Sequence, residues 1–229
     1  MPSSQNSIVI GFKFHPDQCL GLGTSFSFGL DYCFKDLENP IDLFGEWFNE
    51  PKKTEINDPN ALALATVAKD GIPSVRMVLL KNFNKKGFVF YTNLNSQKSN
   101  EIKSNPYASM CFHWKSLLRQ VRITGKLSNV SDTDADNYFN SRSYGSRIGA
   151  WASNQSSILK SRDELLKSIE EFKKKYPNEK NIPRPKQWSG WNLDPIKIEF
   201  WLDGKDRIHE RLCYTRQNNN KWEKNLLSP

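Results

Sequence analysis

The sequence predicts a mostly β fold, an antiparallel barrel with appended helices. Three observations carry that expectation. Apolar and polar residues alternate with period two in roughly seven or eight short segments from Leu62 onward. Turn-forming residues separate most of them: Lys69-Asp70-Gly71, Asn84-Lys85-Lys86-Gly87, Asp203-Gly204 and Asn218-Asn219-Asn220. Helical patterns are inserted at a few points and do not alternate with strands, which disfavours a parallel doubly wound sheet. A chain of 229 residues can bury one sizeable core without a disulfide or metal staple.

The elements follow in order. Residues 1–35 carry five Phe and no clear periodicity, and are expected to form an irregular, poorly ordered leader before a single domain over 36–229. Asn39 is a good N-cap and Pro40 suits a first helical position. Ile41, Phe44, Trp47 and Phe48 then recur on one helical face. Ala61 to Ala68 and Ser74 to Lys81 read as a hairpin, and Phe88 to Thr92 as the next strand. A short helix runs from Ser96 to Ser104 and stops before Pro106. Tyr107 to Trp114 and Leu118 to Leu127 read as two more strands. Three helical pieces follow: Ser131 to about Asn140, about Tyr144 to Ala152, and one opened by the capping box Ser161-x-x-Glu164. Pro183 to Trp191 reads as a connection, and Ile196 to Leu202, Arg207 to Tyr214 and Trp222 to Leu226 as a closing meander.

Composition narrows the function. Lys plus Arg exceed Asp plus Glu by 33 − 25 = 8, so a basic surface or basic pockets are expected. No run approaches the ~20 apolar residues of a membrane helix, and no charged segment precedes an apolar core as in a secretory signal. Cys19, Cys33, Cys111 and Cys213 lie far apart, without zinc or thioredoxin spacing. A soluble cytoplasmic protein with no metal, membrane or nucleic-acid partner is the expectation. No G-x-G-x-x-G, P-loop or nucleophile-elbow motif occurs.

Cations instead gather on strand faces. Arg207, His209 and Arg211 would share one face of a strand, with Trp201 on the strand before. That face is either solvated or spanned by an anion. Tyr138, Arg142 and Ser146 are spaced by four, and on a continuous helix they would offer a guanidinium and two hydroxyls to a phosphate, or simply a wet face. Arg76 and Lys81 bracket an apolar strand, Lys98 lies near a helix start, and Gln120, Arg122 and Thr124 line one strand face. Many cations and hydroxyls with few catalytic carboxylates suit an enzyme that grips phosphorylated ligands while a cofactor supplies the chemistry.

Taken in order, Arg76-Met-Val-Leu-Leu-Lys81, Phe90-Tyr-Thr-Asn93, Arg119-Gln-Val121, Tyr138-Phe-Asn-Ser-Arg142, Ile148-Gly-Ala-Trp151, Gln155-Ser-Ser157, Ile198-Glu-Phe-Trp201, Arg207-Ile-His-Glu-Arg211 and Leu226-Leu-Ser-Pro229 resemble the pyridoxamine 5′-phosphate oxidase family from about residue 37 to the end. The resemblance implies an FMN-binding split barrel acting as a homodimer, with active sites at the subunit interface. It implies FMN contacts from Arg76, Met77, Val78, Leu79, Leu80, Lys81, Tyr91, Thr92, Gln97, Lys98, Gln120, Gln155, Ser156, Trp201 and Arg211. It implies that Lys81, Tyr138, Arg142 and Ser146 hold the phosphate of a small phosphorylated pyridine, with Arg207 and His209 against its ring as the catalytic pair. The implied reaction passes a hydride from C4′ of pyridoxamine or pyridoxine 5′-phosphate to the flavin, yields pyridoxal 5′-phosphate, and uses O2 to form H2O2, with ammonia released from the amine. The runner-up is a related split-barrel flavin oxidoreductase acting on another ring. The chain departs from the family pattern at Gln97, usually Arg, at Ser189 and Asn192 in a Trp-Gly-Gly-aromatic-Arg segment, and at Leu202 and Glu210, usually Gln and Asp. No N-terminal Arg-x-x-Tyr element is visible in residues 1–35.

Overall fold

The structure is a computed structural model and describes residues 29–229, so most of the expected leader lies outside the described residues. Its last residues are irregular but anchored: Cys33 and Phe34 are buried, and Cys33 O accepts the Trp47 indole N–H at 2.7 Å. Helix α1 (Pro40–Asn49) starts as its sequence dictates. Asn39 Oδ1 accepts the Ile41 N–H at 3.0 Å, and Ile41, Leu43, Phe44, Trp47 and Phe48 form the buried stripe. A single turn, α2 (Pro51–Thr54), leads to β1 (Ala61–Val67), β2 (Pro73–Leu79), β3 (Asn82–Asn84) and β4 (Gly87–Asn93). After α3 (Gln97–Ser104) come β5 (Tyr107–Trp114) and β6 (Arg119–Asn129). Helices α4 (Asp132–Ser141), α5 (Tyr144–Ala152) and α6 (Arg162–Lys175) precede β7 (Trp188–Leu202), β8 (Glu210–Arg216) and β9 (Trp222–Leu226).

Every pairing is antiparallel. The sheet runs β2-β1-β5-β6-β7-β4-β3, and β8 and β9 branch from β7. The split occurs along β7 itself. Its first half pairs with β4 (Leu193 opposite Phe88), its second half with β8 (Trp201 opposite Arg211), and β6 runs beside both halves. Phe44 sits at the centre of the main core, ring to ring with Phe48, Phe83, Phe88, Phe112 and Trp114. A second cluster, with Phe139, Ile148, Ile182 and Trp188, joins α4 and α5 to the sheet.

Two sequence expectations need correction. Pro183 to Trp191 is not all connection, because Trp188 to Trp191 already ladder with β4. Pro195 hid the strand's continuity, since proline lacks a ladder donor. The strand tolerates it because the β6 register shifts between Thr124 and Gly125, and Ile196 is the residue passed over. Arg207 is likewise not on a strand. Asp206 and Arg207 adopt left-handed backbone (φ 56° and 65°) in a tight turn, and β8 begins only at Glu210. Arg207, His209 and Arg211 therefore do not share one strand face.

Candidate active site

Edge strand β2 lines a cavity of about 790 Å³, with Ser74, Arg76 and Val78 half-buried and Val75 and Met77, also on its wall, about two-thirds exposed. Thr66 and Ser74 are cross-strand partners, so both hydroxyls flank the Arg76 guanidinium. Arg76 donates to both of them, to Leu64 O at 3.2 Å, and to Glu101 at 3.2 Å. Glu101 projects from α3 and is 7% exposed. Burial alone would raise its carboxyl, but hydrogen bonds from Ser74, Thr66 and Gln97 and the Arg76 charge bring it down to about 2. A fully ionised carboxylate thus clamps Arg76 in a single orientation.

Lys98, one helical position after Gln97, is 8% exposed. Its ammonium is held by Thr92 Oγ1 at 3.1 Å, Ser96 Oγ at 3.2 Å and Gln155 Oε1 at 3.0 Å. All three oxygens are neutral. Burial first, and then repulsion from Arg76, lower its pKa to about 8. A buried ammonium with no ion-pair partner among the described residues is a site prepared for an anion. Ser156, also on the cavity wall, holds left-handed backbone (φ 73°), which costs about 1 kcal/mol outside glycine.

The far wall is aromatic. Tyr91 from β4 packs near-parallel to Tyr138 of α4 (4.1 Å, 19° between planes) and to Trp188 of β7 (5.4 Å, 8°), and Tyr138 and Trp188 also lie near-parallel at 6.1 Å. Gly190 makes this possible, since a Cβ there would lie 2.8 Å from the Tyr91 ring. Arg142 sets its guanidinium 4.7 Å from the centre of the Trp188 ring, and its Nη1 is buried without a hydrogen-bond partner. Helix α4 ends at Ser141, so Tyr138, Arg142 and Ser146 are not one continuous stripe. The break at Arg142 and the restart at Tyr144 nevertheless bring all three to the cavity wall.

Of the predicted site residues, Arg76, Met77, Val78, Leu79, Lys81, Tyr91, Thr92, Gln97, Lys98, Tyr138, Arg142, Ser146, Gln155 and Ser156 line this cavity. Leu80 instead turns into the core, 3% exposed. Gln120, Trp201 and Arg211 lie elsewhere, in one lateral row across β6, β7 and β8. Arg211 is gripped there by Glu199 (2.8 and 3.0 Å) and by Ser228 O (2.7 Å). His209 packs on Trp201 at 4.7 Å with its Nδ1 3.0 Å from Asp203, and Arg207 is exposed in its turn. Sequence reasoning missed Thr66, Ser74, Glu101 and Trp188. The first three become a set only through the β1–β2 register and the docking of α3, and Trp188 falls in a Pro-containing segment that reads as a connection.

This cavity combines a clamped arginine, an unpaired buried ammonium, a second arginine with an open donor, and a flat aromatic wall. Such a set fits two phosphate esters and a planar ring: the buried Lys98 ammonium has only neutral oxygens around it, and the buried Arg142 Nη1 has no acceptor. Comparison with known proteins agrees. Residues 48–176 match the family model described as pyridoxamine 5′-phosphate oxidase, and residues 188–229 match the pyridoxine 5′-phosphate oxidase C-terminal dimerisation region. A Pelagibacter ubique protein named pyridoxine/pyridoxamine 5′-phosphate oxidase is 67% identical over 203 residues, 89% of this chain and 98% of that protein. One of the same name from Allorhizobium ampelinum is 53% identical over 197 residues, 86% of this chain and 95% of that protein. Among solved structures, PhzG from Burkholderia lata, in complex with tetrahydrophenazine-1-carboxylic acid, superposes with TM-score 0.81 at 29% identity, covering 90% of this chain and all of that one. A pyridoxamine 5′-phosphate oxidase-related, FMN-binding protein from Nostoc punctiforme shares the fold, with TM-score 0.67 at 19% identity over 83% of this chain and 98% of that one. With a family model over more than half its length and relatives of this identity, the chain belongs to the pyridoxamine 5′-phosphate oxidase family.

Proposed function

We propose that this protein oxidises pyridoxamine 5′-phosphate and pyridoxine 5′-phosphate to pyridoxal 5′-phosphate, with FMN as cofactor and O2 as acceptor. The observation that carries the reading is the convergence of two cationic groups, Arg76 with Lys98 and Lys81 with Arg142, on the walls of one cavity. Each suits one phosphate ester. Arg76, Lys98, Thr92, Gln155 and Ser156 would hold the flavin phosphate, and Lys81, Tyr138, Arg142 and Ser146 the substrate phosphate. Bound there, the flavin supplies the hydride acceptor and the route of electrons to O2. The chain's own residues grip both phosphates, and the Tyr91–Trp188 wall restricts how the substrate ring can lie.

The working unit in this reading is a homodimer. Gln120, Trp201, Arg207, His209 and Arg211 of a second copy would complete the site, a role consistent with their position outside the cavity and with the exposed Val75 and Met77 on β2. Arg207 is the stronger electrostatic group of the catalytic pair because a guanidinium stays charged throughout the working pH range. A visible spectrum tests the reading most directly. The protein should bind added FMN, and with pyridoxamine 5′-phosphate in air it should form pyridoxal 5′-phosphate and peroxide. A preparation that takes up no FMN, or forms neither product, overturns it.

Flavin affinity should also depend on pH. In the flavin-free protein Lys98 loses its proton near pH 8. A phosphate dianion beside it favours the ammonium, so its pKa is higher in the complex and binding takes up a proton above that pH. The FMN phosphate is already dianionic above about pH 7. The FMN Kd should therefore be flat from pH 7 to 7.5 and rise toward a limit of about ten-fold per pH unit above 8. Fluorescence titration across pH 7–9.5 checks this, and Lys98→Met should remove the slope.

A further inference from the structure

We infer that Trp188 is a positioning residue for the substrate phosphate: its indole face, backed by the Tyr91 and Tyr138 rings, holds the Arg142 guanidinium flat and leaves its donors open. The inference deepens the proposed function and rests on its assignment of Arg142 to that phosphate.

Three observations support it. Arg142 lies 4.7 Å over the Trp188 ring, and none of the ion pairs among the described residues involves it. Arg76 and Arg211 are held differently, each by a buried glutamate that occupies guanidinium donors and offsets the charge. An aromatic face attracts a guanidinium through its π-electrons while using none of its N–H groups. The Arg142 Nη1 is accordingly buried without a partner, and burial lowers its pKa from the usual value.

The indole is itself immobile. It is 6% exposed, stacks parallel to Tyr91 at 5.4 Å and meets Phe139 edge-on at 5.2 Å. Its backbone is fixed as well. Trp188 pairs with Asn93 in the β4–β7 ladder, donates its N–H to Pro185 O at 2.9 Å, and accepts Arg184 Nη1 at 2.9 Å. Rings from two strands and one helix therefore form a rigid pile that ends on a cation. That pile sets the direction of a fork-shaped donor without spending its charge.

A double-mutant cycle on the FMN-loaded enzyme tests this. Trp188→Leu should raise the KM for pyridoxamine 5′-phosphate about ten-fold, a typical loss for a desolvated cation–π contact. It should raise the inhibition constant of inorganic phosphate by a similar factor, with a much smaller change in kcat. Trp188→Phe, which keeps a ring face, should recover most of the loss, and Trp188→Met, which has no ring, carries the same cycle should the leucine variant not fold. In the Arg142→Ala background either substitution should change KM less than two-fold. Equal effects in both backgrounds, equal effects of Leu and Phe, or loss of bound FMN in step with the KM change would mean Trp188 is only structural and would overturn the inference. The underlying assignment fails separately if wild-type enzyme turns over but Arg142→Ala leaves KM unmoved. Trp188 then has nothing to position, and the inference falls with it.

Discussion

Arg142→Ala should raise the KM for pyridoxamine 5′-phosphate about a hundred-fold while the purified protein keeps its flavin. Hydrogen bonds between ionised partners contribute about 1.5–3 kcal/mol each, and a guanidinium can offer a phosphate two in parallel. The Nη1 of Arg142 is buried and has no protein acceptor, so removing it leaves no stranded partner behind. Stability should therefore change little beyond the loss of the stacking contact on Trp188. Steady-state kinetics beside the flavin-to-protein absorbance ratio decides the matter. Flavin loss equal to that of an Arg76 variant would contradict the partition of the two phosphates.

Arg76→Ala should act in the opposite sense. FMN should bind about a hundred-fold more weakly, and the thermal midpoint should fall as well. The second effect arises from Glu101, which is 7% exposed and would lose its charged partner while keeping the hydroxyls of Thr66 and Ser74 and the Gln97 amide. Leaving a buried ionised group short of partners costs about 1–3 kcal/mol. Adding Glu101→Gln to Arg76→Ala should restore much of the melting temperature and none of the flavin. Gel filtration followed by a visible spectrum, together with a thermal melt of each variant, reads both effects. A double variant that regains flavin would show that Arg76 serves only to neutralise Glu101.

Much of this architecture is legible in the residues because local chemistry and tertiary structure agree there. Asn39-Pro40 and the Phe44 face define α1, and the Lys69-Asp70-Gly71 turn defines the β1–β2 hairpin. Arg207 was misplaced because Arg-Ile-His-Glu-Arg imitates a strand's alternation, and no glycine marks the left-handed turn at Asp206 and Arg207. The length of β7 is hidden because Pro195 looks like a breaker until the bulge at the adjacent Ile196 is known. Tyr138, Arg142 and Ser146 illustrate the reverse case: the continuous helix assumed for them is absent, yet they converge through a helix break that happens to preserve their common direction. The Arg76 clamp could not be read at all from sequence. Thr66 and Ser74 face each other only because of the hairpin's register, and Glu101, on a later helix, joins them only through the docking of α3.

Strand β7 also bears on how the polypeptide matures. It is the shared spine of both half-sheets, yet it is made after every other strand except β8 and β9. Until the ribosome has released Trp188 to Leu202, β6 and β4 have no mutual neighbour, and the apolar rows of Phe88, Phe90, Val121 and Ile123 lack one flank. The region matching the first family model is therefore an incomplete sheet by itself, and the one matching the dimerisation region is a ribbon without a base. The two segments share one nine-stranded sheet, and the emerging chain must keep its longest-range pairings waiting until synthesis is nearly finished.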